Sequence, residues 1–99
     1  MTTTAPTSTY VGVVRVLDAG LGWLLDVGKG ELSVTDPDVP AWSGTLTVSS
    51  GSCLEAKSLT TIVELNDGSR GRAQVGPKLD DAGPGMIRVK VVGLAEPPF

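Results

Sequence analysis

Residues 59–76, LTTIVELNDGSRGRAQVG, decide the fold, because this stretch predicts a β-hairpin with a specific register. Asp67 and Gly68 are residue types that tolerate the positive φ of a tight turn. A two-residue loop at these positions would pair Val63 with an arginine and mix apolar and charged side chains on one face. A three-residue loop that begins one residue earlier pairs Val63 with Gly71 and leaves that face small and apolar. We therefore expect the three-residue loop.

In this register the other face of the hairpin carries complementary polar groups. Glu64 lies opposite Arg70, and two opposite charges directly across a ladder contribute roughly 0.2–1 kcal/mol. A slip of one residue would turn every side chain to the wrong face, so the pattern of the faces selects the register. The predicted pairs are Leu65 with Ser69, Val63 with Gly71, Thr61 with Ala73, Leu59 with Val75, Glu64 with Arg70, Ile62 with Arg72 and Thr60 with Gln74.

The composition indicates a small protein without imidazole chemistry. The chain has 99 residues, a net charge of −3, one cysteine and no histidine, which suits a single domain with its own core. The lack of histidine excludes Ser-His and Cys-His nucleophile pairs and imidazole metal sites. No apolar run approaches the roughly 20 residues that span a bilayer, and the first residues lack the features of a signal peptide. We expect a cytoplasmic protein that is not an enzyme, carries no metal or cofactor and binds no membrane.

The first half of the chain predicts a tail followed by strands. Residues 1–9 are rich in threonine and serine, and we expect them to form a flexible tail before a single all-β domain at 10–99. Residues 10–17, YVGVVRVL, are nearly all apolar, which predicts a central strand with both faces partly covered. Residues 23–34 predict a second hairpin with its turn at 28–30, GKG.

The second half predicts further short strands. Prolines and aspartates predict loops at 36–40 and 77–85. Alternation predicts strands at 42–50 and 86–94, and CLEAK at 53–57 predicts one turn or a short strand. Six or seven strands with little or no helix indicate a small antiparallel barrel or sandwich. The glycines within the strands favour the barrel, since they allow bends and close approaches.

Four cations form the first candidate site. Arg70 and Arg72 alternate on the outer face of one predicted strand, and Arg88 and Lys90 alternate on the outer face of another. If those strands are neighbours, the four side chains would form one anion-binding surface; the alternative is an ordinary solvated sheet face with carboxylates nearby. Because the chain is acidic and no aromatic residue is interleaved with these cations, we expect no nucleic-acid binding.

The second candidate site consists of large apolar residues. Trp23, Leu25, Trp42 and Met86 are expected either to fill the core or to wall a pocket for a small apolar ligand. About eight strands are needed before a barrel holds even one small ligand. We therefore expect a filled interior, with both tryptophans in the core.

The carboxylates and the cysteine give weaker signals. Asp36, Asp38, Asp80 and Asp81 lack the ligand spacing of a calcium loop and are expected to be solvated turn residues. Cys53 has no histidine or second cysteine to activate it, and its neighbours predict a half-buried, inert thiol.

Several short motifs resemble a known group of proteins. They are Tyr10-Val11-Gly12, Trp42-Ser43-Gly44, Gly71-Arg72-Ala73, and the ending from Arg88-Val89 through Gly93 to Pro97-Pro98-Phe99. These motifs resemble small actinobacterial β-domains of unknown function, which occur alone or attached to flavin monooxygenases. The histidine and aromatic residues in the middle of such domains are missing here. The resemblance implies a β-barrel-like accessory domain and assigns no catalytic residue.

The absence of a reactive constellation directs the functional hypothesis towards binding. We expect a soluble bacterial protein that acts as a non-catalytic binding or assembly module, through a protein partner or self-association, because sheet edges must be paired or exposed. One alternative is a barrel that binds a small apolar ligand, and another is an accessory domain of an oxidoreductase. An enzyme ranks third; it would use Asp, Glu, Lys, Tyr or Ser, or complete a larger active site.

Overall fold

Six antiparallel strands close into a small barrel in the computed structural model, which describes residues 8–34 and 41–99. The strands are β1 (Ser8–Asp18), β2 (Leu24–Val34), β3 (Ser43–Ser49), β4 (Leu59–Leu65), β5 (Arg70–Gly83) and β6 (Met86–Gly93). Around the barrel they follow the order β1-β2-β3-β6-β5-β4, and β4 closes the ring by pairing with β1. No helix occurs in the described ranges, so the predicted all-β barrel is confirmed.

The register predicted for the β4–β5 hairpin is confirmed. Val63 faces Gly71 and Glu64 faces Arg70. The Leu65 amide donates to the Ser69 carbonyl at 2.8 Å, which closes a three-residue loop. Gly68 supplies the positive φ of this loop, +88°.

The barrel interior is filled by aliphatic side chains from all six strands. Buried residues alternate with outward-facing ones, as a closed sheet requires. The core consists of Val14, Val16, Leu32, Val34, Trp42, Leu46, Val48, Leu54, Val63, Leu65, Ala73, Val75, Ile87, Val89 and Val91. Thr61 is also buried, and its hydroxyl donates to the Ala73 carbonyl at 3.0 Å.

The predicted turn at 28–30 is wrong, because β2 runs through it without interruption. Gly28 pairs with Val14, and Gly30 pairs with Gly12. A Cβ at Gly28 would overlap the main-chain carbonyl of Thr47. This glycine therefore allows β2 to approach β3 closely and is not needed for a reversal. The hairpin in this part of the chain joins β1 to β2 through the loop at 19–23.

The polar stretch at 77–85, predicted as a loop, instead continues β5 as far as Gly83. Asp80 pairs with Arg88, and Gly83 pairs with Met86, with irregularities in the ladder. Pairing between β4 and β5 ends at Val75, so the rest of β5 pairs with β6 alone. Residues 77–81 are all exposed. Both faces of this extension meet water, which explains why its sequence lacks apolar alternation.

Three smaller predictions have different outcomes. Residues 53–57 form turns, but Cys53 is exposed while Leu54 is buried, so the predicted half-buried thiol is wrong. Ser8 pairs with Val34, so β1 begins before the predicted end of the tail. Residues 1–7 and the loop predicted at 36–40 lie outside the described residues.

Candidate interaction surface

The four predicted cations do not share one patch. β5 and β6 are neighbours, as the prediction required, but Arg70 and Arg72 lie beyond the last residues that the two strands pair. Arg88 pairs with Asp80 towards the opposite end of β6, and Lys90 lies one alternation away from it. The register of the two strands therefore separates the arginines of β5 from the cations of β6, and the predicted common patch is wrong.

Two of these cations are bound to carboxylates. Arg70 Nε donates to Glu64 Oε2 at 2.8 Å, and Arg15 lies 3.6 Å from the other oxygen of Glu64. Arg88 donates to both oxygens of Asp80, at 2.8 and 2.9 Å. These hydrogen bonds lower the pKa of the Asp80 carboxyl and raise the pKa of the Arg88 guanidinium. Both ion pairs lie on a solvated face of the sheet, where the opposite charges neutralise each other.

The large apolar residues of the second predicted site do not line a common pocket. Trp42 is buried before β3, where it packs over Gly93 at the end of β6. Met86 begins β6 at the opposite end of that strand. Leu25 packs partly against the core near the start of β2. Trp23 is 69% exposed, so the prediction that it belongs to the core is wrong.

The C-terminal residues fold back over the end of the barrel that Trp42 closes. Trp42 Nε1 donates to the Ala95 carbonyl at 2.8 Å. The Phe99 ring meets the indole edge to face, with centroids 5.8 Å apart. Gly71 leaves room for Pro98 and the edge of the indole. Three of the motifs that carry the resemblance to actinobacterial β-domains therefore converge on one structural contact.

Tyr10 links β1 to the residue that follows β4. Its ring lies over Gly12, and its hydroxyl donates to the Val13 carbonyl at 2.7 Å. The same hydroxyl accepts a hydrogen bond from the Asn66 amide at 3.0 Å, just after β4 ends. The remaining resemblance motif, Tyr10-Val11-Gly12, thus also has a structural explanation.

Exposed apolar side chains concentrate on the β1–β2 hairpin. Of the eight large apolar residues that are exposed in the described ranges, six belong to this hairpin. They are Val11, Val13, Leu21, Trp23, Leu24 and Val27, and we call them the β1–β2 surface. Isolated exposed apolar residues are normal on soluble proteins, whereas large contiguous apolar patches are typical of interaction surfaces.

The loop between β1 and β2 holds the most exposed members of this surface in place. The Asp18 carboxylate accepts hydrogen bonds from the amides of Gly20 and Leu21, at 3.1 and 2.6 Å. The Asp18 amide donates to the Trp23 carbonyl at 2.7 Å, and the Gly22 amide donates to the Asp18 carbonyl at 2.8 Å. Such local side-chain bonding is the reason that aspartate favours turns. Leu21 and Trp23 are therefore presented to solvent on an ordered loop.

The outer face of the β1–β2 ribbon alternates valines with charges. Val11 faces Glu31, Val13 faces Lys29, and Val27 faces Arg15 across the ladder. All six side chains are exposed. Successive side chains of a strand point to opposite faces. Leu32 and Val34 point into the barrel, and β2 continues through 28–30 without a turn. The odd-numbered residues of β2 therefore point outwards.

Two shallow grooves lie on the outside of the barrel. One, of about 380 Å³, adjoins the β1–β2 surface, and the other, of about 360 Å³, lies beside the C-terminal residues. The first is lined by Thr9, Val11, Glu31, Ser33, Gly44 and Thr45, among others. The second is lined by Ile62, Arg70, Gly71, Arg72, Ala95 and Glu96. Neither groove includes Trp23, Leu25, Trp42 or Met86 in its wall.

Within 8–34 and 41–99, no group of three or more cysteine or carboxylate side chains is placed to hold a metal ion. Asp81 contacts Lys78 at 2.8 Å, while Asp36 and Asp38 lie outside these ranges. No helix of the described residues is long and apolar enough to cross a membrane. No family model, curated protein or solved structure matches the chain.

Proposed function

We propose that this chain is a non-catalytic protein-binding module whose partner covers the β1–β2 surface. The observation that carries the proposal is that six of the eight exposed large apolar residues in the described ranges lie on this one hairpin. They are spread along a ribbon and its loop, and do not surround a cavity. A protein surface is the kind of partner that covers such an area.

The sequence of β1 supports the same proposal. Its nearly continuous run of apolar residues is typical of a strand buried on both faces. Among the described residues, Val14 and Val16 are buried on the inner face of β1, while Val11 and Val13 on its outer face remain 65% and 46% exposed. A bound partner would bury the second face that the sequence pattern calls for.

The loop supplies the kind of anchor that dominates binding energy at interfaces. Tryptophan is enriched among such residues, and most of the interface free energy comes from a few of them. Trp23 stands on a loop that Asp18 already orders, so little conformational entropy is lost when it binds. An accessory domain of a larger enzyme, as the resemblance to actinobacterial β-domains implies, would use its surface in the same way.

Site-specific photocrosslinking tests the proposal. A benzophenone-bearing amino acid replaces Trp23 in one variant and Leu79 in another; Leu79 is a matched control because it is 53% exposed and lies on the β5 extension. Each variant is irradiated as purified protein and in an extract of its source cells. We expect covalent protein adducts from position 23 and none from position 79. Equal or absent adducts at both positions, in both preparations, would overturn the proposal.

A further inference from the structure

We infer that the occupant of the strand part of the β1–β2 surface, Val11, Val13 and Val27, is a second copy of the same chain, packed face to face about a two-fold axis. The inference rests on the proposed function and adds the identity of the partner. It rests on the order of valines and charges along the ribbon, because this order is complementary to the same order rotated by 180°. Two-fold dimers are the commonest symmetric assemblies, and they require one surface that matches its own copy.

The self-complementarity follows from the ladder. Val11 faces Glu31, Val13 faces Lys29, and the pair of Gly12 with Gly30 lies midway between these levels. A two-fold axis that runs across both strands at this glycine pair places the residue pair on one side of it over the residue pair on the other side in the second copy. The axis brings Val11 against Val13 of the second copy and Lys29 against Glu31 of the second copy, and each contact occurs twice.

The same axis also matches the ends of the ribbon. It carries Val27 over Ser33 of the second copy and Arg15 over Thr9 of the second copy. Thr9 and Ser33 line the groove of about 380 Å³, so the outward Val27 of each copy meets the groove of the other. The strands of the two ribbons lie along each other, which is the aligned packing that sheets prefer.

Charge and length agree with this arrangement. Neither Lys29 nor Glu31 has an oppositely charged group within 4 Å among the described residues, whose ion pairs involve other side chains. Glu31 acts on Arg88 only through its charge and without an ion pair, so both side chains can contact a second copy. Each strand has eleven residues, so the ribbon is roughly 35 Å long. An axis at the level of Gly12 and Gly30 superimposes residues 8–16 of β1 on the same residues of the second copy, a length of roughly 30 Å.

Charge reversal followed by a charge swap tests the inference, with dimer dissociation measured by sedimentation equilibrium. Lys29→Glu or Glu31→Lys alone sets like charges against each other at both symmetric contacts, and each should raise the dimer Kd at least about tenfold. The double variant restores opposite charges and should return the Kd to within about threefold of the original. Lys57→Glu and Glu96→Lys change the net charge by the same amounts away from the ribbon and should leave the Kd unchanged. Circular dichroism confirms that each variant is folded.

The outcomes separate this inference from the proposed function. Restoration by the double variant supports the two-fold packing. A chain that is monomeric at every concentration overturns the second-copy inference, and adducts between position 23 and a different protein would still support the binding module. A dimer that ignores both single reversals, or that the double variant does not restore, also overturns the inference.

Discussion

The indole of Trp42 packs directly against the backbone of Gly93 at the end of β6. The Gly93 amide donates to the Trp42 carbonyl at 2.7 Å, and the indole nitrogen donates to the Ala95 carbonyl at 2.8 Å. The residues at and after the end of β6 therefore bind both the backbone and the ring of Trp42. Phe99 then packs against its edge, and this contact fixes the C-terminal residues on the barrel.

Gly93→Ala should lower the free energy of unfolding by about 1–3 kcal/mol, because overpacking forces ring and backbone apart. A Cβ at this position would overlap the indole. Urea denaturation measures the effect. Gly20→Ala is the control, because the nearest atom to its Cβ is Asp18 Oδ2 at 3.4 Å, an ordinary contact; it should change the free energy by less than about 0.5 kcal/mol. Equal effects of the two substitutions would contradict the packing described for Trp42.

The two tryptophans should report opposite environments in fluorescence. Trp42 is 2% exposed and Trp23 is 69% exposed. At low protein concentration, Trp42→Phe leaves only Trp23, which should emit at long wavelength and be quenched readily by acrylamide. Trp23→Phe leaves only Trp42, whose emission should lie at shorter wavelength and resist quenching. Similar quenching of both single-tryptophan variants would show that Trp23 is not free on the loop.

The Asp80–Arg88 pair should make the β5–β6 extension sensitive to acid. Hydrogen bonding to Arg88 lowers the pKa of Asp80. Because the folded pKa is lowered, the pair stabilises the folded chain above the ordinary pKa of aspartate, and this contribution is lost as the pH falls through the lowered pKa. In an NMR titration of the side-chain carboxyl, Arg88→Gln should raise the pKa of Asp80 towards its ordinary value. Lys78→Gln is the control and should move it less, since Lys78 acts on Asp80 only through its charge. An Asp80 titration that is the same in both variants and the original chain would contradict the role of Arg88.

The register of the β4–β5 hairpin could be predicted from sequence because its information is local. The dipeptide Asp67-Gly68 restricts the loop, and only one register places Val63 and Gly71 on an apolar face. Pairings between distant strands lack such a local constraint. Arg72 and Arg88 do belong to neighbouring strands, but the stagger between those strands depends on irregularities near Pro77 that alternation does not specify.

The β1–β2 surface was missed because the glycines of β2 have two interpretations. Gly28 and Gly30 suit a turn as well as a strand that passes close to its neighbour. A turn at these glycines would place Trp23 and Val27 on the inward face with Leu32 and Val34. The continuous strand instead places Val27 on the outer face. One available signal was the apolar run in β1, which already predicted cover on two faces.

On this account a second copy of the chain covers the outer face of the β1–β2 hairpin. Val13 and Leu94 offer a matched pair, because they are 46% and 48% exposed and only Val13 belongs to the β1–β2 surface. The most direct measurement is the relaxation of their methyl protons by a soluble gadolinium chelate over a series of protein concentrations. We predict equal relaxation in dilute protein and a severalfold loss of relaxation at Val13 alone as the concentration rises. Equal relaxation of the two residues at every concentration would contradict the claim.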